Sequence, residues 1–371
     1  MTNSLSLRRA WIPGFFALLA IISCAKVAFG AEEVPPSVEK LQALLKDAKF
    51  IEAEARARAL LSRVEAEAGP DSLRVAEVLH LLVSAMVLND KYEEALEPAK
   101  RAIAIRERFL GSEDPLVAES LLRLSEAQLF TAERLAARQT AERAIGIQER
   151  RFGPESEEVA SALVSYADTC HWMGYKEDSW RAVRRALAIL ERVHSPDSPA
   201  IVDALQLLSW QELAGTPDER LLLYERALAI QEKAFGPDHP NTVRLLIDAS
   251  GFRRRLGDFT GARKGLEQAI AVYEKGGLSD NDYPGFAYGF LAVMEHNLGD
   301  YEEARRHFEE SLKIWNRLHG PDEYFGIQAR ANLASCLVTL GEFDEAREIL
   351  LDGIARLEGK FGPGCRETSL H

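Results

Sequence analysis

The chain has 371 residues, 47% of them hydrophobic and 8% aromatic, so it can bury a core and is not a disordered polymer. Its formal net charge is −13, and residues 1–30 hold Arg8, Arg9 and Lys26 with no acid, which leaves −16 on residues 31–371. That charge sets the chain against non-specific binding to polyanions such as nucleic acid or an anionic membrane surface.

Residues 1–30 read as an export signal. Arg8 and Arg9 precede an apolar run from Ala10 to Ile22, and small residues follow. The run is too short to span a bilayer. Three outcomes fit the pattern: cleavage after Ala28-Phe29-Gly30, lipidation of Cys24 within Ile21-Ile22-Ser23-Cys24, or retention as an uncleaved anchor. Each takes the chain out of the cytoplasm, to the periplasm or beyond, and lipidation of Cys24 would give it an N-terminal lipid anchor in a membrane. A short linker, 31–36, comes next.

From residue 37 to 364 the chain repeats itself. The phrase "RAIAI" around Ala102 returns at Ala144, Ala186, Ala227, Ala269, Ser311 and Gly353, at spacings of 42, 42, 41, 42, 42 and 42. Gly69, Gly111, Gly153, Gly236, Gly320 and Gly362 keep the same register, with Ser195 and Leu278 in the two remaining slots. The turns "DKYEEA", "GDFTGA", "GDYEEA" and "GEFDEA" at 90, 257, 299 and 341 form a third marker.

Each period predicts two helices. In the second helix of the second repeat, Ala95, Ala99, Ala102 and Phe109 fall on one stripe of a 3.6-residue helix, and the alanines there admit a close neighbour. About eight hairpins are expected, the first with Phe50, Ala53, Ala57 and Leu60 on its second helix. The third turn, "FTAERLAA", and the fifth, "AGTPDERLL", are degenerate but keep the hydrophobic phase. One hairpin cannot bury its apolar face alone, so stacked neighbours must share a continuous core.

The stretch "KAFGPDHPNT" at 233–242 brings Asp238 and His239 together beside a glycine turn. His239, however, fills the slot held elsewhere by Ser72, Asp114, Ser156, Ser198, Asn281, Glu323 and Cys365. Ser, Asp and Asn in that slot suit a helix N-cap, with Pro115, Pro199 and Pro240 following at the first helical position. The stretch is punctuation between repeats.

The segments "LGDYEEARRHFEESLKIWNRLHGPDE" and "LYERALAIQEKAFGPDHP" resemble tetratricopeptide repeats of the 42-residue variety found in kinesin light chains and in bacterial exported proteins. The resemblance implies an all-α, right-handed superhelical solenoid whose concave face, lined by the first helices, holds a peptide or a partner helix. Carried over by register, the partner-groove candidates are Arg244, Asp248, Arg254, Arg255, Asn332, His171, Trp172 and Asn297. Arg123, Asp168, Gln206 and His296 are further first-helix positions. Asn332 matches an asparagine that family members use to hold a peptide backbone. Trp172, like Trp180, Trp210 and Trp315, also suits packing between helices.

The basic run "FRRRLG" at 252–257 is unusual in so acidic a chain. It reads either as cations favoured at a helix C-terminus or as a fork gripping an acidic segment of a partner.

The sequence carries no GxSxG, P-loop, HExxH or GxGxxG motif. Cys170 and His171 are adjacent, so they point about 100° apart on a helix and form no nucleophile–base pair. The four cysteines and eight histidines show no metal-ligand spacing. No catalytic residue, metal, cofactor or small-molecule substrate is expected. The function implied is a non-catalytic scaffold for another protein. The last residues, 365–371, read as a tail or as the opening of a further repeat. The second implication is therefore the N-terminal arm of a longer protein bearing a caspase-like protease domain of the CHAT type.

Overall fold

The computed structural model describes residues 36–46, 49–276, 282–321 and 324–361. The expected signal with Cys24, the linker up to 35, the tail 365–371, and Leu278, Asn281, Glu323 and Gly362 lie outside the described residues.

Among the described residues every regular element is helical. In chain order the α-helices are α1 (Pro36–Lys46), α2 (Phe50–Ala68), α3 (Leu73–Leu88), α4 (Tyr92–Leu110), α5 (Pro115–Leu129), α6 (Arg134–Phe152), α7 (Glu157–Met173) and α8 (Lys176–Val193). They continue as α9 (Val202–Trp210), α10 (Pro217–Phe235), α11 (Pro240–Arg255), α12 (Phe259–Gly276), α13 (Tyr283–Leu298), α14 (Tyr301–His319), α15 (Tyr324–Leu340) and α16 (Phe343–Phe361). Short 3-10 turns, Pro199–Ile201 and Glu212–Ala214, flank α9. Odd-numbered helices are the first of each hairpin and even-numbered ones the second. The chain divides into two units, residues 1–234 and 235–371. Each is a stack of such hairpins, and the fold class is an all-α repeat solenoid.

Local chemistry explains where the helices start and stop. Ser72, Asp114 and Ser156 each accept a backbone N–H at the start of a first helix, from Val75, Leu116 and Val159, and Ser198 accepts that of Ala200 at the start of the 3-10 turn that leads into α9. His239 does the same with its ring, Nδ1 accepting from the N–H of Asn241 at 3.2 Å. The boundary glycines hold backbone that a side chain resists: φ is 90° at Gly111 and 88° at Gly236, and a Cβ there would meet open space, so conformation alone selects glycine. At the hairpin turn Gly174, Gly257, Gly299 and Gly341 are left-handed, and Asp90 takes the same conformation with φ 58°. The degenerate fifth turn hides a capping box: Thr216 N–H donates to Glu219 Oε2 at 2.7 Å, and Glu219 N–H donates to Thr216 Oγ1 at 3.3 Å.

In the first unit the alanine stripe is fully buried, with Ala95, Ala99, Ala102 and Ala144 inside the core. Phe109 departs from the expected stripe. It lies in the last turn of α4 and is 52% exposed with the Arg108 guanidinium over its ring. Ile105 and Arg106 take the buried face instead.

Successive repeats of this unit are also stitched by charge. Arg101 meets Glu65 at 2.6 Å, Arg143 meets Glu107 at 2.5 Å, and Arg185 meets Glu149 and Arg226 meets Glu191 at 2.8 Å each. Three of these arginines reach the boundary carbonyls of Pro70, Pro154 and Pro196 as well. In the second unit the same slot holds Gln268, Glu310 and Asp352.

Candidate functional site

In the second unit α11 packs on α13, and α13 on α15. The 42-residue period therefore sets equivalent positions of three first helices side by side. Arg244, Phe286 and Gln328 share one position, Asp248, Phe290 and Asn332 the next, and Arg255, Asn297 and Thr339 another near the helix ends.

The side chains tie the helices together and leave part of the face accessible. Arg244 is buried, 3.7 Å from Asp248 on the following turn, and lies over the Tyr283 ring of α13. Arg254 is half-buried, with its guanidinium 5.7 Å from the centre of the Phe290 ring. Burial pushes that guanidinium below its usual pKa. Its Nε finds no hydrogen-bond acceptor among the described residues. Arg255 is exposed and stands over the Phe252 ring at 5.1 Å. Arg253 turns the other way, 3.9 Å from Asp258. On α13 Asn297 is exposed, and His296 meets Thr339 of α15 at 3.4 Å. On α15 Asn332 is half-buried and its Oδ1 accepts from Gln328 Nε2 at 3.3 Å. Six of the eight expected groove residues, Arg244, Asp248, Arg254, Arg255, Asn297 and Asn332, thus lie on the first helices of the second unit. The expected single fork does not form, because Arg254 and Arg255 sit over different rings.

His171 and Trp172 belong to the first unit and are placed differently. Trp172 is buried, 6% exposed, and packs edge-on against Phe130. His171 contacts Trp172 and Trp210, and its Nδ1 lies 3.3 Å from Gln211 Nε2. These two act between repeats as packing groups. Cys170 beside them is fully buried, and burial pushes its thiol up to about 11, so it stays protonated.

The first unit also holds a row of buried charge on α4, α5 and α7. Arg123 is 2.5 Å from Glu126, and Glu126 accepts from Ser165 of the next repeat at 3.4 Å. Arg106 donates to the Leu116 carbonyl and to Ser120 Oγ. Burial pushes Glu119 up to about 7, against the pull of Arg106 and Arg123. Asp168 goes further, to about 8, through burial and the nearby Glu126 carboxylate, while Trp172 pulls the other way. Among the described residues no three His, Cys, Asp or Glu side chains gather as a metal ligand set, and no helix is long and apolar enough to cross a membrane.

Residues 75–116, 214–275 and 285–359 match tetratricopeptide repeat models. No curated protein sequence matches the chain. Among solved structures, a Rap protein complexed with Competence and Sporulation Factor is 14% identical, with 87% of this chain and 91% of that one covered and a TM-score of 0.57. A signal transduction ATPase with numerous domains and a tetratricopeptide repeat sensor, from Pyrococcus horikoshii, is 13% identical, with 89% and 48% covered and a TM-score of 0.58. A putative kinesin light chain repeat structure from Podosopora anserina is 22% identical over 53% and 93%, with a TM-score of 0.43. At these identities the first two likenesses speak to the fold alone. The chain therefore carries tetratricopeptide repeats in both of its units.

Proposed function

We propose that the chain is a non-catalytic scaffold that binds a partner protein or peptide on the first-helix face of its second unit, in the cell envelope or outside the cell. The observation that carries this reading is the accessible polar and aromatic face shared by α11, α13 and α15, built from Arg254, Phe290, Asn297 and Asn332. Such a face offers amide groups that both donate and accept, beside rings that supply apolar contact, which is what an extended segment requires. The Rap structure carries a bound factor of its own. Export rests on the sequence of residues 1–30.

The test is photocrosslinking in the producing cell. A photoreactive residue replaces Asn297 or Asn332 on the first helices, or the exposed Glu348 on α16. The reading predicts one discrete adduct from the first two positions and none from Glu348. Equal labelling from all three would overturn it. Fractionation of the same cells tests location: the chain belongs in the envelope or the medium, and a cytoplasmic pool alone would remove that part.

A further inference from the structure

The geometry points to a second binding site, in the first unit, where a recess between α4, α5 and α6 seats a phenol ring carried by a partner protein as a tyrosine side chain. The site lies apart from the face proposed above, and it rests on the scaffold reading only in that a protein carries the ring.

α5 packs on both α4 and α6, and the three helices enclose a recess of about 390 Å³. That is the size of a ligand site, for which about 300–1,000 Å³ is usual. Leu121 and Leu124 of α5 line it with Ile103 of α4, and Glu107, Thr140 and Arg143 stand beside them. Ion pairs tie its two walls together: Lys100 meets Glu133 at the start of α6 at 2.6 Å, and Glu107 meets Arg143 at 2.5 Å. The walls are therefore held in place before anything binds, which lowers the ordering cost for a ligand.

The molecule itself shows what fits. Four repeats later the same positions recur between α12, α13 and α14, where Leu121 corresponds to Tyr288, Glu107 to Glu274 and Thr140 to His307. Tyr288 donates its hydroxyl to Glu274 Oε1 at 2.8 Å, and its ring centre lies 5.8 Å from that of His307. One repeat after the recess, Leu124 corresponds to Tyr166, which donates to Glu142 of α6 at 3.2 Å beside the Arg138 guanidinium. In both places a first-helix tyrosine rests its hydroxyl on a carboxylate of the preceding second helix. In the recess both positions are leucine, which is shorter, while the carboxylate of Glu107 is in place.

The charges around the recess select a neutral group. An anion meets Glu107, a cation meets Lys100 and Arg143, and either must displace an ion pair already formed. A phenol hydroxyl instead donates to Glu107, whose carboxylate has about four acceptor sites and gives one to Arg143. Ala104 and Gln139 also line the recess and are exposed, so a ring can enter from outside on a partner's side chain. Tyrosine suits that role, being apolar along its body and polar at its tip.

The experiment uses the full chain with labelled isoleucine and leucine methyl groups, titrated with p-cresol, toluene and N-acetyl-tyrosinamide and followed by NMR. The proposal predicts that p-cresol and N-acetyl-tyrosinamide shift the Ile103, Leu121 and Leu124 methyls saturably and leave Leu291 of the filled groove unmoved. Toluene, lacking the hydroxyl, should bind about tenfold more weakly. Two variants should each weaken binding at least about tenfold: Ala104→Phe, which closes the recess from its exposed side, and Leu121→Tyr, which supplies the ring from within as Tyr288 does. Ala271→Phe, the corresponding change beside Tyr288, leaves binding unchanged. Circular dichroism confirms that each variant folds, and Ala104→Phe alone decides the matter if Leu121→Tyr does not. Equal binding of toluene and p-cresol, no saturable shift at millimolar probe, or full binding in Ala104→Phe overturns the proposal. So does binding of p-cresol without N-acetyl-tyrosinamide, which would show a site for a free phenol. The titration needs no partner, so its failure leaves the scaffold reading standing, and loss of the Asn297 and Asn332 crosslinks sinks that reading without moving these shifts.

Discussion

Replacing Asp168 with asparagine should stabilise the protein near neutral pH, and the gain should grow as pH rises. The carboxyl is 5% exposed, its Oδ1 accepts no hydrogen bond among the described residues, and Glu126 adds a second negative charge nearby. In the folded chain it holds its proton up to about pH 8. In the unfolded chain it loses it near pH 4. Between those values folding must take up a proton, so this group's contribution is full at low pH and falls away as pH rises through the folded value. Each pH unit in the window is worth about 1.4 kcal/mol, which gives on the order of 4 kcal/mol at pH 7. Asparagine keeps the shape and drops the ionisation. Urea melts of both proteins at about pH 5, 6, 7 and 8, followed by circular dichroism and tryptophan fluorescence, read the difference. The variant should be modestly more stable at pH 5 and increasingly so toward pH 8. It keeps a shallower slope of the same sign from Glu119, which titrates near 7. Parallel curves for the two proteins would refute the reasoning.

The other predictions concern the repeat itself. Removing three rungs of the charge ladder together, by Arg101→Gln, Arg143→Gln and Arg185→Gln, should lower stability by about 1–2 kcal/mol in low salt. The loss should shrink in about 1 M salt, and a salt-independent loss would show that the carbonyl bonds matter more. His239→Ser should leave stability within about 0.5 kcal/mol, since the slot needs only an acceptor for the Asn241 N–H, whereas His239→Ala should cost about 1 kcal/mol in a thermal melt. Ala102→Leu, at a fully buried point of the stripe, should cost about 1–3 kcal/mol by overpacking. The exposed Leu135→Ala is the neutral control.

The periodic parts of this molecule were legible in the sequence, because one local requirement recurs seven or eight times in the same register. The N-cap slot at Ser72, Asp114, Ser156, Ser198 and His239 is filled as its chemistry requires, and the alanine stripe is buried where the helical period places it. Phe109 departs because periodicity specifies a face and not the burial of a position in the helix's last turn. Asp90 shows that the turn slot demands a left-handed backbone rather than glycine as such. The charge ladder went unread although its arginines open the phrases "RAIAI", "RAIGI" and "RALAI", since the matching glutamates lie a repeat away. The candidate face was legible in its polar members and not in its aromatic ones. Phe290 occupies the register position of Asp248 and Asn332, but only the packing of α11 on α13 brings it under Arg254. The burial of Asp168 was likewise invisible to a reading that treats first-helix polar positions as groove lining, whereas Trp172 already suited packing between helices.

The central claim is that a partner lies along the first helices of the second unit, over a face that includes Arg254. Hydrogen–deuterium exchange on the full chain, with and without the partner identified by crosslinking, tests it most directly. The account predicts slower exchange in α11, α13 and α15, unchanged exchange in α12, α14 and α16, and loss of the protection over α11 in Arg254→Gln. Protection confined to the second helices, or protection of α11 that survives the substitution, would contradict it.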